Sequence, residues 1–223
     1  MNHLVFLELF CNFAMCKKIF KHFLNNKKPM ENKKELTEEQ KVKHVELFFD
    51  RLRKLGLQVD NFEGLYSEKL KDATYSFSNK DNIACGSGEF LRTVLRTLTP
   101  TALKLNELLP EGKRVEEKSV ITACLLSQIS KIIMVSPNDN KWEIENRGIL
   151  YKFNEFPYAM KMGMRSIAMC MQCGITLTEN EIEAISNIDR DDDKQVKFFS
   201  SPLATILRQA MELTDLIIRK KDD

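Results

Sequence analysis

The side chains best suited to catalysis and metal binding are scarce in this chain. It contains three histidines, His3, His22 and His44, and none after position 44. Imidazole is a common general base in enzymes and a preferred ligand of transition metals. Ser/His/Asp triads and most metal hydrolases are therefore excluded from the remainder of the chain, unless His44 is recruited.

The cysteines indicate buried thiols in place of a redox or zinc centre. Six are irregularly spaced, and only Cys170 and Cys173 form a CxxC pair. A lone CxxC is compatible with a redox pair or with half a zinc site, but no second pair or nearby histidine completes four ligands. Most of the six lie in apolar helical patterns, which is typical of thiols in a reducing compartment such as the cytoplasm. The six cysteines are Cys11, Cys16, Cys85, Cys124, Cys170 and Cys173.

An acidic run, formed by Asp189 and residues 191–193, is the clearest candidate for cation binding by carboxylates. Near-consecutive side chains on one segment cannot all converge on one ion, and the glycine and terminal Glu of a calcium loop are missing. This run is therefore predicted to be a solvated linker. Glycine-rich phosphate loops and the GxSxG and HExxH motifs are also absent from the sequence.

Composition describes one compact globular domain. The chain has 223 residues, of which 43% are hydrophobic and 30% are charged, and its formal net charge is +2. Such a balance provides no strong overall field toward nucleic acid, so we predict no specific nucleic-acid binding. A chain of this length buries enough apolar surface to fold without a metal or disulfides.

The N-terminus differs from the rest. Residues 4–15 are mostly apolar and are followed by several lysines. This segment is shorter than the roughly 20 residues of a membrane span, and no cation precedes it as in a secretory signal. We interpret residues 1–29 as an extension, with Met30 as the true start, and residues 30–223 as a single helical domain. Peripheral membrane contact through residues 4–15 is the alternative.

Apolar periodicity of three and four predicts an all-α fold. Capping and periodicity signals place helix starts at or near Thr37, Gly88, Glu116, Tyr158, Thr178 and Ser201. Pro100 is expected to kink the second helix, and residues 116–134 are expected to form the central one. Residues 141–153 predict a small β-hairpin turned near Asn146. The methionines of residues 158–172 are interpreted as core packing.

Several short motifs occur in a characteristic order. They are LLSQISK (125–131), KWEIENRG (141–148), FP (156–157), GMRS (163–166), LTENE (177–181) and SPLA (201–204). In order and spacing this set resembles the HD superfamily of metal-dependent phosphohydrolases, particularly small members from gut bacteria and their phages. The resemblance implies an HD-domain-like helical bundle. In active members a metal held by His and Asp activates water against a phosphate ester.

The resemblance places no metal-binding side chain at the corresponding positions of this chain. Those positions are Phe90, Ser127, Gln128, Met162, Ile188, Arg208 and Met211. Neutral or soft side chains supply neither the charge nor the geometry that a hard or borderline cation requires. The expected protein is a catalytically degenerate HD domain with no catalytic residues, metal or other cofactor.

A degenerate domain of this kind would act by binding. The expected ligand is a nucleotide or another phosphorylated small molecule, or else a protein partner. Cations near the matched positions could contact phosphate; they are Lys131, Arg147, Arg165 and Arg208. The competing interpretation of such charges is a solvated surface with acidic neighbours, although Arg208 could pair with Glu212 one turn later.

Two other functions remain open at the level of sequence. In the first, the protein is an active phosphohydrolase in which Asp189, residues 191–193 or Glu212 enter the old site together with His44. Several independent side chains would then have to converge on the old site. In the second, it is a structural component of a phage particle or another assembly.

Overall fold

The computed structural model describes residues 35–189 and 200–220. Predictions that fall elsewhere lie outside the described residues; they concern the extension 1–29, membrane contact through 4–15, the acidic residues 191–193, His3, His22, Cys11 and Cys16. No helix in the described ranges is long and apolar enough to cross a membrane.

The described chain is mostly helical, with one small antiparallel sheet, as the sequence predicted. The α-helices are α1 (Glu38–Lys54), α2 (Asp60–Asp72), α3 (Glu89–Thr93), α4 (Thr99–Glu107), α5 (Glu117–Leu126), α6 (Lys131–Met134), α7 (Met162–Gln172), α8 (Glu179–Ser186) and α9 (Pro202–Ile218). Shorter elements are a 3₁₀ turn at Glu111–Lys113, π-helical turns at Val94–Leu98 and Glu143–Arg147, and strands β1 (Val135–Pro137) and β2 (Tyr151–Phe153).

Three helices begin where capping residues predict. Thr37 and Gln40 form a complete capping box at the start of α1, and Thr178 with Glu181 does the same for α8. Ser201 caps α9 by accepting a hydrogen bond from the Ala204 amide. These side chains satisfy amide groups that a helix start would otherwise leave without partners.

Residues 89–107 form one continuous helix in which a π-helical turn, Val94–Leu98, joins α3 to α4. The irregularity comes immediately before Pro100, where a kink was predicted. Proline has no amide hydrogen, and its ring clashes with the carbonyl four residues earlier in a regular α-helix. A widened turn relieves that clash, and the Thr99 amide and hydroxyl both donate to the Val94 carbonyl.

The predicted central helix, 116–134, is buried but interrupted. Helix α5 ends at Leu126, a turn occupies residues 127–130, and α6 follows. Ser127 Oγ donates to the Cys124 carbonyl, and such bonds compete with regular helix geometry. After this turn the amides of Lys131 and Ile132 bond to carbonyls three residues earlier, so the backbone changes direction.

The small sheet is present, but its first strand precedes the predicted range 141–153. Val135 pairs with Phe153 and Pro137 pairs with Tyr151 in the antiparallel register. Asn140 Oδ1 accepts a hydrogen bond from the Glu143 amide, which starts a helical turn where we expected the first strand. The difference from the predicted hairpin has a local cause, because the Asn140 side chain caps the start of a helical turn.

The prediction that the methionines of residues 158–172 pack in the core is wrong for most of them. Helix α7 begins at Met162, and only Met169 is buried. Met164 is 46% exposed and Met171 is 70% exposed. They are seven residues apart, so they share the side of α7 that faces away from the core.

Candidate functional site

A polar cluster forms around the buried Tyr75 and includes two positions, Phe90 and Gln128, that the HD resemblance singled out. We name Tyr75, Phe90, Gln128, Lys131 and Asp215 the Tyr75 cluster. The rings of Tyr75 and Phe90 stack with centroids 6.5 Å apart. Gln128 Nε2 donates to the Tyr75 hydroxyl at 3.3 Å. Two of the matched positions, Phe90 and Gln128, therefore contact the same tyrosine.

Lys131 places an ammonium group inside this cluster. The side chain comes from the first residue of α6, and the residue is only 7% exposed. Its Nζ donates to the Tyr75 carbonyl at 2.8 Å and lies 4.1 Å from the centroid of the Tyr75 ring. Burial lowers the pKa of Lys131 to about 8, against the opposing charges of Asp215 and Asp189. The hydrogen bond and the ring face are contacts that stabilise the charged form.

Asp215 supplies the nearest counter-charge to Lys131 from α9. It lies one helical turn after Met211, at the exposed edge of the cluster. Partial desolvation raises the pKa of this carboxyl, and the charge of Lys131 opposes that rise. Burial, and then the charge of Asp215, raises the pKa of Tyr75. The tyrosine is therefore held neutral, and its hydroxyl accepts the hydrogen bond from Gln128.

The other matched positions near α5 serve in backbone contacts. Ser127 is fully buried, and its hydroxyl bonds to the carbonyl of Cys124. Ser130 Oγ donates to the Met162 carbonyl at 2.9 Å, so Met162 contributes its backbone to this contact. Ser166 Oγ donates to Ser130 Oγ at 3.0 Å. This serine pair joins the turn after α5 to the start of α7.

Helices α7 and α8 cross too closely for any side chain at Gly163. A Cβ atom at that position would lie 2.0 Å from the Ile185 carbonyl oxygen and 3.1 Å from Ile188 Cγ1. Ile188, a matched position, is part of this apolar crossing. Asp189 Oδ2 accepts from the Gly163 amide at 2.8 Å and so caps α7 from outside the helix.

The cations proposed as phosphate contacts each have a different structural setting. Lys131 is buried in the Tyr75 cluster. Arg147 is at the surface, 3.9 Å from a Glu143 carboxylate oxygen. Arg165 Cζ lies 4.0 Å from the centroid of the Phe156 ring, and its Nη2 donates to the Tyr158 carbonyl at 3.1 Å. Both contacts connect α7 to the loop that precedes it. Arg208 is half-buried on α9.

The relocated ligands of an active hydrolase are not assembled in the described part of the chain. No three His, Cys, Asp or Glu side chains in residues 35–189 and 200–220 are grouped so that they could hold a metal ion. His44 lies on α1, where Arg92, Arg96 and Glu89 act on it, whereas Asp189 caps α7. Of the described cysteines, Cys124, Cys170 and Cys173 are buried free thiols as predicted, whereas Cys85 is a free thiol that is only partly buried.

Sequence reasoning missed Tyr75, Ser130, Ser166 and Asp215. Tyr75 lies in a polar segment with no periodic pattern, so nothing in its neighbourhood predicted its burial. Of these four residues, only Ser130 and Ser166 carried a signal in the sequence that could have predicted a buried polar contact. Each is a small polar residue on the apolar face of a helical pattern, where a buried hydroxyl must find a partner.

Comparisons of the chain with protein-family models, with curated proteins and with solved structures found no match. The fold and the site define a helical domain with a buried, internally satisfied polar cluster.

Proposed function

We propose that this protein is a catalytically degenerate HD-like domain that acts by binding a phosphorylated small molecule, with a regulatory role. The observation that carries the degenerate assignment is the buried ammonium of Lys131, which lies among the positions where the resemblance expects a metal centre; the phosphorylated ligand is what the resemblance implies. Its contacts are with Tyr75, and Gln128 and Phe90 complete the same cluster.

A fixed cation at this place disfavours a metal ion. Two positive charges in a poorly solvated site repel each other, and the carboxylate of Asp215 is already near one of them. Apart from Arg208 the matched side chains are neutral, and the polar ones, Ser127 and Gln128, form hydrogen bonds within the fold. Without a metal, water at pH 7 is a poor nucleophile toward a phosphate ester.

The contact between two of the quoted motifs supports the HD-like arrangement. Ser130 belongs to the segment 125–131, and Ser166 belongs to the segment 163–166. The two hydroxyls bond directly at 3.0 Å. In the HD superfamily these motifs lie around one site, so their contact here agrees with the resemblance.

The proposal is tested by metal content and by a turnover screen. The protein is purified without chelator, analysed for bound metals, and assayed against nucleotides and phosphomonoesters with added manganese, nickel or iron. We expect substoichiometric metal, no turnover, and thermal stabilisation by at least one phosphorylated compound. Stoichiometric metal with turnover that is lost in Asp215→Asn would overturn the proposal.

Two further outcomes also count against it. A stable complex with another protein, together with no response to any phosphorylated compound, would assign the domain to partner binding. A large homogeneous assembly with no ligand response would assign it to a structural role. Arg114→Gln is the control variant for the ligand and turnover measurements and should behave like the wild type. Arg114 is exposed, and it bonds to the Glu107 and Leu109 carbonyls and not to the Tyr75 cluster.

A further inference from the structure

A second polar cluster lies where α1 packs against α3. Glu89, Arg92 and Arg96 follow one another at spacings of three and four on the helix 89–107, so they share a face. Phe90, which contacts the Tyr75 ring, points to a different side. The cations on this face are therefore separate from the Tyr75 cluster, although the same helix carries both.

His44 on α1 faces these cations. Lys41 touches the N-terminus of α3, since a Cβ atom at Gly88 would lie 2.9 Å from Lys41 Cγ. His44 is three residues further along α1, on the same face as Lys41, and the charges of Arg96, Arg92 and Glu89 act on it. The histidine is 4% exposed, and its Nδ1 has no hydrogen-bond partner among the described residues. A buried ring nitrogen without a partner needs an explanation, because its desolvation costs free energy.

Charge in this cluster is unbalanced. Arg92 Nη1 lies 3.2 Å from Glu89 Oε1, and the Glu89 side chain is only 6% exposed. Among the described residues, Glu89 is the carboxylate whose charge acts on His44, against the two guanidinium groups of Arg96 and Arg92. Burial lowers the pKa of His44, and the charges of Arg96 and then Arg92 lower it further. Lys41 adds no available charge, because it bonds to Glu38 and Asp72 at 2.7 and 3.1 Å.

We infer that His44, Arg92 and Arg96 form a binding site for a tetrahedral oxyanion of the phosphate class. Guanidinium groups match phosphate oxygens in pairs, and Arg96 is exposed at the surface end of the cluster. A dianion there would neutralise the surplus positive charge. It would also favour protonation of the imidazole, which could then donate a hydrogen bond to the anion from Nδ1.

The π-helical turn sets the position of Arg96. It spans Val94–Leu98, so Arg96 lies within it, and Arg92 lies one turn earlier. Such turns shift side chains relative to a regular helix and are frequent at functional sites. This inference deepens the proposed function and rests on it for the choice of a phosphorylated ligand. The geometry of the cluster stands without the HD resemblance.

The test follows the His44 ring by NMR, in full-length protein treated with chelator. The ring resonances are assigned with His44→Gln and titrated with pH in the presence of chloride, sulfate or inorganic phosphate. We expect phosphate and sulfate to raise the pKa of His44 by about one unit, which is a tenfold preference of the anion for the protonated ring. Chloride at equal ionic strength should have no such effect.

Variants separate this site from general charge effects. Arg96→Gln is the decisive change, because the side chain is exposed and its loss should leave the fold intact. We expect it to weaken phosphate binding at least about fivefold. Arg51→Gln, which removes a cation from the last turn of α1, should leave binding unchanged.

The inference fails if phosphate leaves the His44 titration unchanged, if chloride acts as strongly, or if Arg96→Gln and Arg51→Gln bind phosphate equally. Its failure is distinguishable from that of the proposed function. Metal-dependent turnover would overturn the degenerate HD assignment and would leave a phosphate-sensitive His44 in metal-free protein. An unresponsive His44 with no turnover would remove this site alone.

Discussion

Replacing Lys131 by Met tests whether an ammonium group is truly buried in the Tyr75 cluster. Burial lowers the pKa of Lys131 from 10.5 to about 8. The unfolded chain therefore binds this proton more tightly than the folded chain between these two pH values. Stability should consequently rise with pH in that window, as the folded protein releases a proton that burial disfavours. The whole shift corresponds to about 3 kcal/mol.

Between about pH 7 and pH 9 the wild type should gain about 1 kcal/mol relative to Lys131→Met. At pH 7 the two proteins should be close in stability. Removing the buried charge stabilises the variant, while leaving the Tyr75 carbonyl without its donor costs about 1 to 3 kcal/mol. Burial raises the pKa of Cys124 and Cys170 to about 12. Because these thiols resist ionisation in the folded protein, they lower its stability as the pH rises above about 9. Wild type and Lys131→Met contain both cysteines, so the difference in stability between the two proteins does not include this effect.

The assay is urea unfolding at several pH values, with Lys43→Met as a control on the exposed side of α1. The stability difference between wild type and Lys131→Met should change with pH, whereas the difference from Lys43→Met should stay constant. A constant difference for both variants would refute the reasoning, because it would mean that Lys131 titrates alike in the folded and unfolded chains.

Five further substitutions test the packing and capping. Gly163→Ala should destabilise the fold by about 3 kcal/mol, because the added methyl group would collide with a backbone carbonyl of α8. Gly64→Ala has open space around it and should stabilise α2 by about 0.5 to 1 kcal/mol. Met169→Ala should cost about 2 to 5 kcal/mol and the exposed Met171→Ala less than about 0.5. Ser201→Ala should cost about 1 kcal/mol through loss of the α9 cap. Each free energy of unfolding is measured with a chemical denaturant. Equal effects within the glycine pair or within the methionine pair would contradict the assigned packing, and an unchanged stability of Ser201→Ala would contradict the cap.

The parts of the fold that local sequence determines were predictable. Capping boxes at Thr37 and Thr178 depend on residues three positions apart, and the helix irregularity before Pro100 follows from that one residue. Strand β1 was not predictable, because it pairs with residues that lie beyond an intervening helical turn. Its short sequence carries no alternation strong enough to reveal the pairing.

The candidate site was predictable only in part, for a similar reason. The resemblance pointed to Phe90 and Gln128, but their shared partner Tyr75 comes from a distant loop. Lys131 follows an apolar helix and would ordinarily be assigned to the surface. Its ammonium group contacts Tyr75 and interacts with the charge of Asp215, and no local pattern links these three residues.

The two clusters differ in how their charge is compensated, and this difference decides where an anion should bind. Lys131 is compensated within the fold by the Tyr75 carbonyl and ring and by the charges of two carboxylates. An added phosphate there would have to displace contacts that already stabilise the ammonium. Within residues 35–189 and 200–220, one carboxylate near His44, Glu89, acts against two guanidinium groups, and the His44 Nδ1 atom has no hydrogen-bond partner. The charge that lacks a partner among the described residues is therefore on the α1 side of helix 89–107, away from the positions at which the proposed HD resemblance would place a metal.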